Sequence, residues 1–514
     1  MIYRSPEPTI EVPDVSLVDH VLARAREFGD KVALVDAASG ERLTYRELVE
    51  GVDAGSGALA RLGVRPGQVV AVMSHNQPRY PLAVYAALAI GAAVTPINPV
   101  LTTGELIKQL AGSQASVLIT SEEAAGKAAE AADAAGIELR FVLGEAEGFR
   151  PFSELTGSGA SRPRVALDPA TAIAALPFSS GTTGLSKGVM LTHRNLVANL
   201  EQIAAGWPVT QDEVLAAALP FFHIYGFTII LNSALKAGAT VVTLARYSLP
   251  AYLRMVQEHR VTRAFLAPPM VLGLATDDEV GGYDLSSLRL AICGAAPLDV
   301  DVTARAERRL GCLIRQGYGM TEASPGTNSV PDAEFATTPA GSVGRLMPST
   351  EARLVDPVTG DDCDPGQPGE LWIRGPQVMA GYLHNPAATA ETLVTDGWLR
   401  TGDIVKVDES GNFWVVDRLK ELIKYKGYQV APAELESLLL TYPEVRDAAV
   451  VGMPHAEGGE APKAFVVSSA PLDPDDLMTW VAERVAPYKK VRAVEFVSEI
   501  PRSAAGKILR RLLK

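Results

Sequence analysis

SSGTTGLSKGVMLTH, residues 179–193, is a run of small and hydroxylated residues that follows the apolar stretch AIAALPF and passes into VMLTHRNLVANL. Gly181 and Gly184 carry no Cβ, so backbone N–H groups in the loop can approach phosphate oxygens. Ser179, Ser180, Thr182 and Thr183 add hydroxyl donors, and Lys187 adds a point charge. Lys187 is followed by Gly188, not by Ser or Thr, so this is not a Walker A loop. The competing reading is a plain surface loop. Five hydroxyls, three glycines and one lysine within ten residues favour anion binding.

Outward from this loop, short β-branched runs alternate with helix-length stretches. QVVAVM (68–73), SVLIT (116–120), ATVVTLA (239–245), TRAFLA (262–267) and LRLAIC (288–293) read as strands. PLAVYAALAIGAAV (81–94) reads as a buried helix entering a turn, and the Ala-rich stretch 122–136 as surface helix. Strands separated by helix-length crossovers predict parallel α/β sheets with right-handed connections. At 514 residues the chain is no single small module, and 47% apolar with 21% charged residues is a globular composition.

The formal charge of −13 disfavours nucleic-acid binding through bulk electrostatics. Cys293, Cys312 and Cys363 show no C-x-x-C spacing and make no disulfide framework, which points to a reducing, cytoplasmic compartment. The N-terminus lacks the pattern of a secretory signal, and RRLLK is neither a lipidation nor a peroxisomal signal. The longest apolar stretch, about 14 residues, is too short to span a membrane.

A composition shift marks a second unit. Nine of the 14 lysines lie from Lys406 to Lys514, eight of them after the turn signal DESGN (408–412). The expected organisation is an α/β body of residues 1–418 and a small, mobile α+β domain of residues 419–514. An anionic body with a lysine-rich cap suits a cleft for a polyanionic ligand, although lysine enrichment alone is also ordinary surface drift. No G-x-S-x-G elbow and no His/Cys ligand spacing is present, so serine-hydrolase and zinc chemistries are unsupported.

Six further motifs follow the loop in order: LPFFHIYG (219–226), QGYGMTE (316–322), GELWIRGPQVMAGY (369–382), GWLRTGD (397–403), DRLKELIKYKGYQVAPAELE (417–436) and PRSAAGKILRR (501–511). In this ordered set the chain resembles the adenylate-forming enzymes (acyl-CoA synthetases, nonribosomal adenylation domains and beetle luciferases), and within them it looks most like 4-coumarate–CoA ligases. The resemblance implies an AMP-forming acid–thiol ligase using ATP, Mg²⁺ and CoA.

In QGYGMTE, Gly317 and Gly319 permit a tight turn that presents Tyr318 as a flat face for adenine. Thr321 suits the α-phosphate, and the hard carboxylate of Glu322 suits Mg²⁺. GYGMTE lacks the third glycine of a dinucleotide fingerprint. The resemblance implies that Gln316 also belongs to this nucleotide segment. It further implies that Asp403 accepts the ribose hydroxyls, that Arg418 contacts ribose and phosphate, and that Lys507 is the catalytic lysine.

In the same way Lys424, Lys426 and Gly427 match the loop that lines the CoA tunnel, with Lys424 also a catalytic position, Gln429 matches a position that contacts the adenylate, and Lys420 is the hinge. His223, which in its apolar context reads as a core histidine, matches the mouth between acyl pocket and thiol tunnel. Tyr225, Gly294, Gly317 and Pro325 match acyl-pocket positions.

Three positions depart from the plant enzymes. Gly326 replaces a larger apolar residue, Arg246 a CoA-contacting lysine, and Trp372 the cysteine of GEICIRG. FFHIYGFTII (221–230) contains no acid where amino-acid-activating relatives place an aspartate, so the resemblance disfavours an α-amino acid substrate. The implied substrate is an aryl, hydroxycinnamate-like acid, with a medium-chain fatty acid as alternative. Transfer to an amine is a second enzymatic reading and an inactive binding homologue a third. The intact Lys187, Glu322, Asp403, Arg418 and Lys507 argue against the last.

Overall fold

The computed structural model of the chain describes residues 1–179, 187–425, 428–455, 459–503 and 506–513, and the structural statements below concern these. A seven-stranded sheet runs in the order Leu313–Gln316, Leu290–Cys293, Arg263–Leu266, Val214–Ala217, Thr240–Thr243, Val32–Asp36, Arg42–Thr44. All pairings are parallel except the last. Its inner strands, such as Leu290–Cys293 and Thr240–Thr243, show no alternation of burial because both faces are covered. Phe265 and Leu266, for example, are fully buried, each such side chain contributing about 1.5–3 kcal/mol.

A nine-stranded sheet is centred on the parallel strands Ala93–Ile97, Val69–Met73 and Ala115–Thr120. The Ala-rich stretch forms a helix, Ala125–Ala135, as expected, but only one face is solvated. Ala128, Ala131 and Ala132 are buried in a cluster with Leu118 and Met73. Their i, i+3, i+4 spacing makes a stripe narrow enough to lie close to the strands.

A third, antiparallel sheet combines Tyr3–Arg4, Glu351–Val355, Gly369–Arg374, Trp398–Val407 and Leu393–Val394, with Phe413–Arg418 paired to Trp398–Val407. Only its last hairpin, around DESGN, was legible in the sequence.

Beyond residue 418 a five-stranded sheet contains Tyr428–Val430, Ile423–Tyr425, Gly459–Ser468 and Val445–His455, with Ala493–Phe496 parallel to Gly459–Ser468. Helices Pro432–Leu439 and Pro474–Ala482 give Leu435, Leu439, Leu477 and Val481 to a core of its own, separate from the main core. Where the two meet, Ile404, Leu422 and Ala431 form a small apolar cluster. No helix among the described residues is long and apolar enough to cross a membrane. The three cysteines are free thiols.

Candidate active site

Four adjacent parallel strands end along one rim. Cys293 is in register with Gln316, and Leu266 with Cys293. The chain therefore emerges side by side as Gly317–Tyr318 after Gln316, Gly294 after Cys293, and Ala267–Pro269 after Leu266. After Ala217 it continues to His223 and Tyr225. Carboxyl ends of parallel strands are where open α/β sheets bind ligands. Here they gather segments that lie almost 100 residues apart in sequence.

At this rim Tyr318 donates its hydroxyl proton to Asp403 Oδ2 at 2.5 Å. Asp403 and Arg418, 15 residues apart, become direct cross-strand partners in the antiparallel hairpin. Arg418 Nε lies 3.4 Å from Asp403 Oδ1. Asp403 is 5% exposed, and burial pushes its carboxyl above the ordinary range while Arg418, the Tyr318 hydrogen bond and Lys507 oppose the shift. Lys507 is half-buried in the same cluster. Burial first, and Arg418 second, push its ammonium down to about 8, with Glu421 and Asp403 acting in the other direction.

The tail carrying Lys507 is seated on the rim through Gly506. Its φ is +82°, and a Cβ there would lie 3.0 Å from Ala267 Cβ and 3.1 Å from Pro269 Cδ. A side chain is excluded by conformation and by contact alike.

Phe178–Ser179 and Lys187–Thr192 form an antiparallel pair with Ser179 opposite Lys187. Ser180, Gly181, Thr182 and Thr183 lie outside the described residues. Glu322, in the short turn Thr321–Ala323, accepts hydrogen bonds at Oε1 from Tyr382 Oη (2.8 Å) and Ser179 Oγ (3.3 Å). Lys187 Nζ stands 4.8 Å over the Tyr382 ring. Tyr382 was not among the expected site residues. Its only sequence signal is its place at the end of GELWIRGPQVMAGY. Among the described residues no cluster of three or more His, Cys, Asp or Glu could hold a metal. Glu322 is a single hard carboxylate beside the Ser179 hydroxyl, oxygen donors that fit Mg²⁺ held jointly with phosphates and water.

On the other side of the rim, the Tyr225 ring lies 3.1 Å from where a Gly294 Cβ would stand, and its hydroxyl reaches Ile292 O at 3.4 Å. Tyr225 opens a π-helix, Tyr225–Asn232, a form that recurs at functional sites. His223 Nδ1 accepts the Tyr225 backbone N–H at 3.3 Å, and burial pushes the imidazole down to about 4. It is neutral near pH 7, with its proton on Nε2. Gly326 is explained by packing, since a Cβ there would lie 2.9 Å from the buried Met347 Sδ. Pro325 directly precedes it.

Other expected residues have different surroundings. The Gln316 amide braces the loop at Leu298, accepting from its N–H (3.0 Å) and donating to its carbonyl (3.3 Å). Arg246 is 72% exposed and paired with Glu123 at 3.0 Å. Trp372 stacks under Arg353 and Arg400 in the antiparallel sheet. Lys424 is exposed, in register with Gln429 across the hairpin. Lys426, Gly427 and the Gln429 side chain lie outside the described set. Lys420 is exposed at the tip of a turn in which Glu421 N–H donates to Arg418 O at 2.9 Å.

Comparison with known proteins agrees with this arrangement. Residues 21–383 match the family described as AMP-binding enzyme, and residues 434–507 match AMP-binding enzyme C-terminal domain. The chain is 40% identical over 524 residues to 4-coumarate–CoA ligase 5 of Oryza sativa subsp. japonica, covering 100% of this chain and 97% of the relative. It superposes on an anthranilate CoA ligase in complex with anthranoyl-AMP with a TM-score of 0.89 at 26% identity, over 98% and 97% of the two chains. An amide bond synthetase from Marinactinospora thermotolerans gives 0.86 at 29% identity, over 97% and 99%. With both family matches in order along one chain, and near-complete coverage of these relatives, this protein belongs to the AMP-binding, adenylate-forming enzyme family.

Proposed function

We propose that this enzyme converts an aryl, hydroxycinnamate-like acid to its CoA thioester through an acyl-adenylate, releasing AMP and pyrophosphate. The observation that carries this reading is the convergence of Tyr318, Asp403, Arg418 and Lys507 on one rim, next to the packed pair Tyr225 and Gly294.

In the first half-reaction a carboxylate oxygen attacks the α-phosphorus of ATP and the bond to the β-phosphate oxygen breaks. Both reactants are anions, so the barrier is largely charge repulsion. The Lys507 ammonium neutralises charge on carboxylate and α-phosphate, and Lys187, Thr321 and the loop 179–187 hold the phosphates. Bound at Glu322, Mg²⁺ would supply further neutralisation at the phosphate oxygens. Tyr318 stacks on adenine, while Asp403, steadied by Arg418, accepts the ribose hydroxyls.

In the second half-reaction the CoA sulfur attacks the acyl carbon and the bond to AMP breaks. His223, neutral and too weakly basic to take a proton readily, serves as an Nε2–H donor at the tunnel mouth. Gln316 acts through the Leu298 loop. Arg246, Lys426 and Gly427 contact CoA, and Lys424 and Gln429 approach the adenylate, after residues 419–514 rotate about Lys420. A reducing, cytoplasmic setting suits the three free thiols.

Asp403→Asn keeps the shape but removes the charge-assisted bonds to ribose, so the ATP KM should rise about tenfold to a hundredfold. Steady-state kinetics read this. An unchanged KM would remove Asp403 from the ribose site.

The acceptor is tested by product mass after incubation with Mg-ATP, an aryl acid and equimolar CoA and amine. We expect the CoA thioester. The similarity to an amide bond synthetase favours a second reading, and amide formed without thioester would establish it in place of the first.

A further inference from the structure

Three residues beyond Lys507, Arg510 commits its whole guanidinium. Nη2 donates to both carboxylate oxygens of Glu436 (2.7 and 2.8 Å), Nε donates to Val450 O (3.1 Å), and Nη1 donates to Glu421. Glu421 immediately follows the expected hinge residue Lys420. Glu436 sits in the helix Pro432–Leu439, and its Oε1 also accepts the Val450 N–H at 2.8 Å. One half-buried arginine thereby joins the hinge turn, a helix, a long strand and the tail that bears Lys507.

The tail has little else to hold it. Its backbone bonds are local, as in Ser503 N to Lys507 O and Gly506 N to Ser503 O, each 2.8 Å. Arg502 pairs with Asp447 at 2.7 Å, and Ile500, Ile508 and Leu513 add a small apolar contact. Apolar residues in place of the Arg510 cluster would stabilise the fold about as well, whereas the directed bonds fix geometry.

We propose that Arg510 is a positioning residue for Lys507. With Glu421 and Glu436 it forms a three-way clamp that makes the C-terminal tail move as one body with the hinge segment, so that the ammonium arrives at the reacting phosphate at a fixed place. The inference rests on the adenylating role of Lys507. The charged groups that face Lys507 are Arg418 and Asp403 from the body and Glu421 and Arg510 from the clamp.

The full-length protein is compared as wild type, Arg510→Gln, Glu421→Gln, Lys507→Ala and the Arg510→Gln/Lys507→Ala double variant. Glu421→Gln breaks the hinge link alone and leaves the Arg510–Glu436 pair, which guards against a folding defect. Acid-dependent ATP–pyrophosphate exchange is measured across pH, and thioester formation is measured from synthetic acyl-adenylate and CoA.

We expect both clamp variants to lower the plateau exchange rate about tenfold to a hundredfold, the scale of a displacement near 1 Å. Thioester formation should persist, and the Arg510 change should add nothing in the Lys507→Ala background. Equal loss in both half-reactions would make the clamp merely structural and overturn the proposal. An unchanged plateau would also overturn it if the alkaline limb moved up in Arg510→Gln and down in Glu421→Gln, because the clamp would then act only through its charge. Full exchange by Lys507→Ala would defeat the reading of Lys507 and the clamp with it. A selective defect in Lys507→Ala with none in the clamp variants would defeat the clamp alone.

Discussion

Lys507→Ala will lower acid-dependent adenylation by about 10²–10³-fold, the scale for losing one preorganised charge stabiliser. Thioester formation from synthetic acyl-adenylate will survive, because in that half no anionic carboxylate has to approach the phosphate. The geometry places the lysine beside Asp403 and Arg418, at the nucleotide end of the rim. The same placement sets a pH dependence.

Burial and Arg418 hold the ammonium near about 8. The active, charged form is therefore complete well below that pH and is lost as pH rises through it. In kcat/KM, which reports the free enzyme, adenylation should fall on an alkaline limb near that value. Bound ATP adds negative charge beside the ammonium and raises its pKa, so the limb in kcat should lie at higher pH. Initial rates of pyrophosphate exchange across pH check both limbs. Equal loss of both half-reactions in Lys507→Ala would remove the lysine from catalysis and indicate a folding defect.

The second large effect is expected at the hinge. Lys420→Pro fixes φ near about −65° and removes one backbone donor. The turn already holds its neighbours, with Leu419 N–H bonded to Gly402 O at 2.8 Å and Glu421 N–H to Arg418 O at 2.9 Å. The arrangement seen here has Lys507 beside Asp403 and Arg418 and the Lys424 side chain exposed. On the rotation proposed above, the hairpin would reach the adenylate through a change in a few backbone torsions near Lys420. The proline variant should keep pyrophosphate exchange and lose thioester formation. Rapid-quench measurement of the two halves separates them. Unchanged thioester formation in a well-folded variant would move the hinge elsewhere.

The parts of the site legible in the sequence were those carried by local pattern. Of the rim strands, Arg263–Leu266 and Leu290–Cys293 are largely buried and were legible as strand-like runs, whereas Val214–Ala217 and Leu313–Gln316 were not. The glycines at 181 and 184 read as places of close approach, and those at 317 and 319 as a tight turn. The link between Asp403 and Arg418 was not legible as a contact, because it depends on the register of a hairpin closed at DESGN.

The antiparallel sheet escaped because Tyr3–Arg4 pairs with Glu351–Val355, and so distant a pairing leaves no local periodicity. The π-helix escaped for a related reason, since FTIILN carries no mark of a widened turn. Tyr382 was hidden behind a glycine-rich motif, and its role against Glu322 needed the strand pairing of Gly381–Tyr382 with Lys187–Thr192. Arg510, a basic residue in a basic tail, reads as solvated surface until its two carboxylate partners are seen.

Acid-dependent exchange of labelled pyrophosphate into ATP, followed by addition of CoA, tests the central claim most directly. With a hydroxycinnamate or related aryl acid present, exchange should appear without CoA. Adding CoA should then yield thioester and AMP in equal amounts. Exchange that ignores the acid, or cleavage of ATP to ADP and phosphate, would contradict an acyl-adenylate at this site.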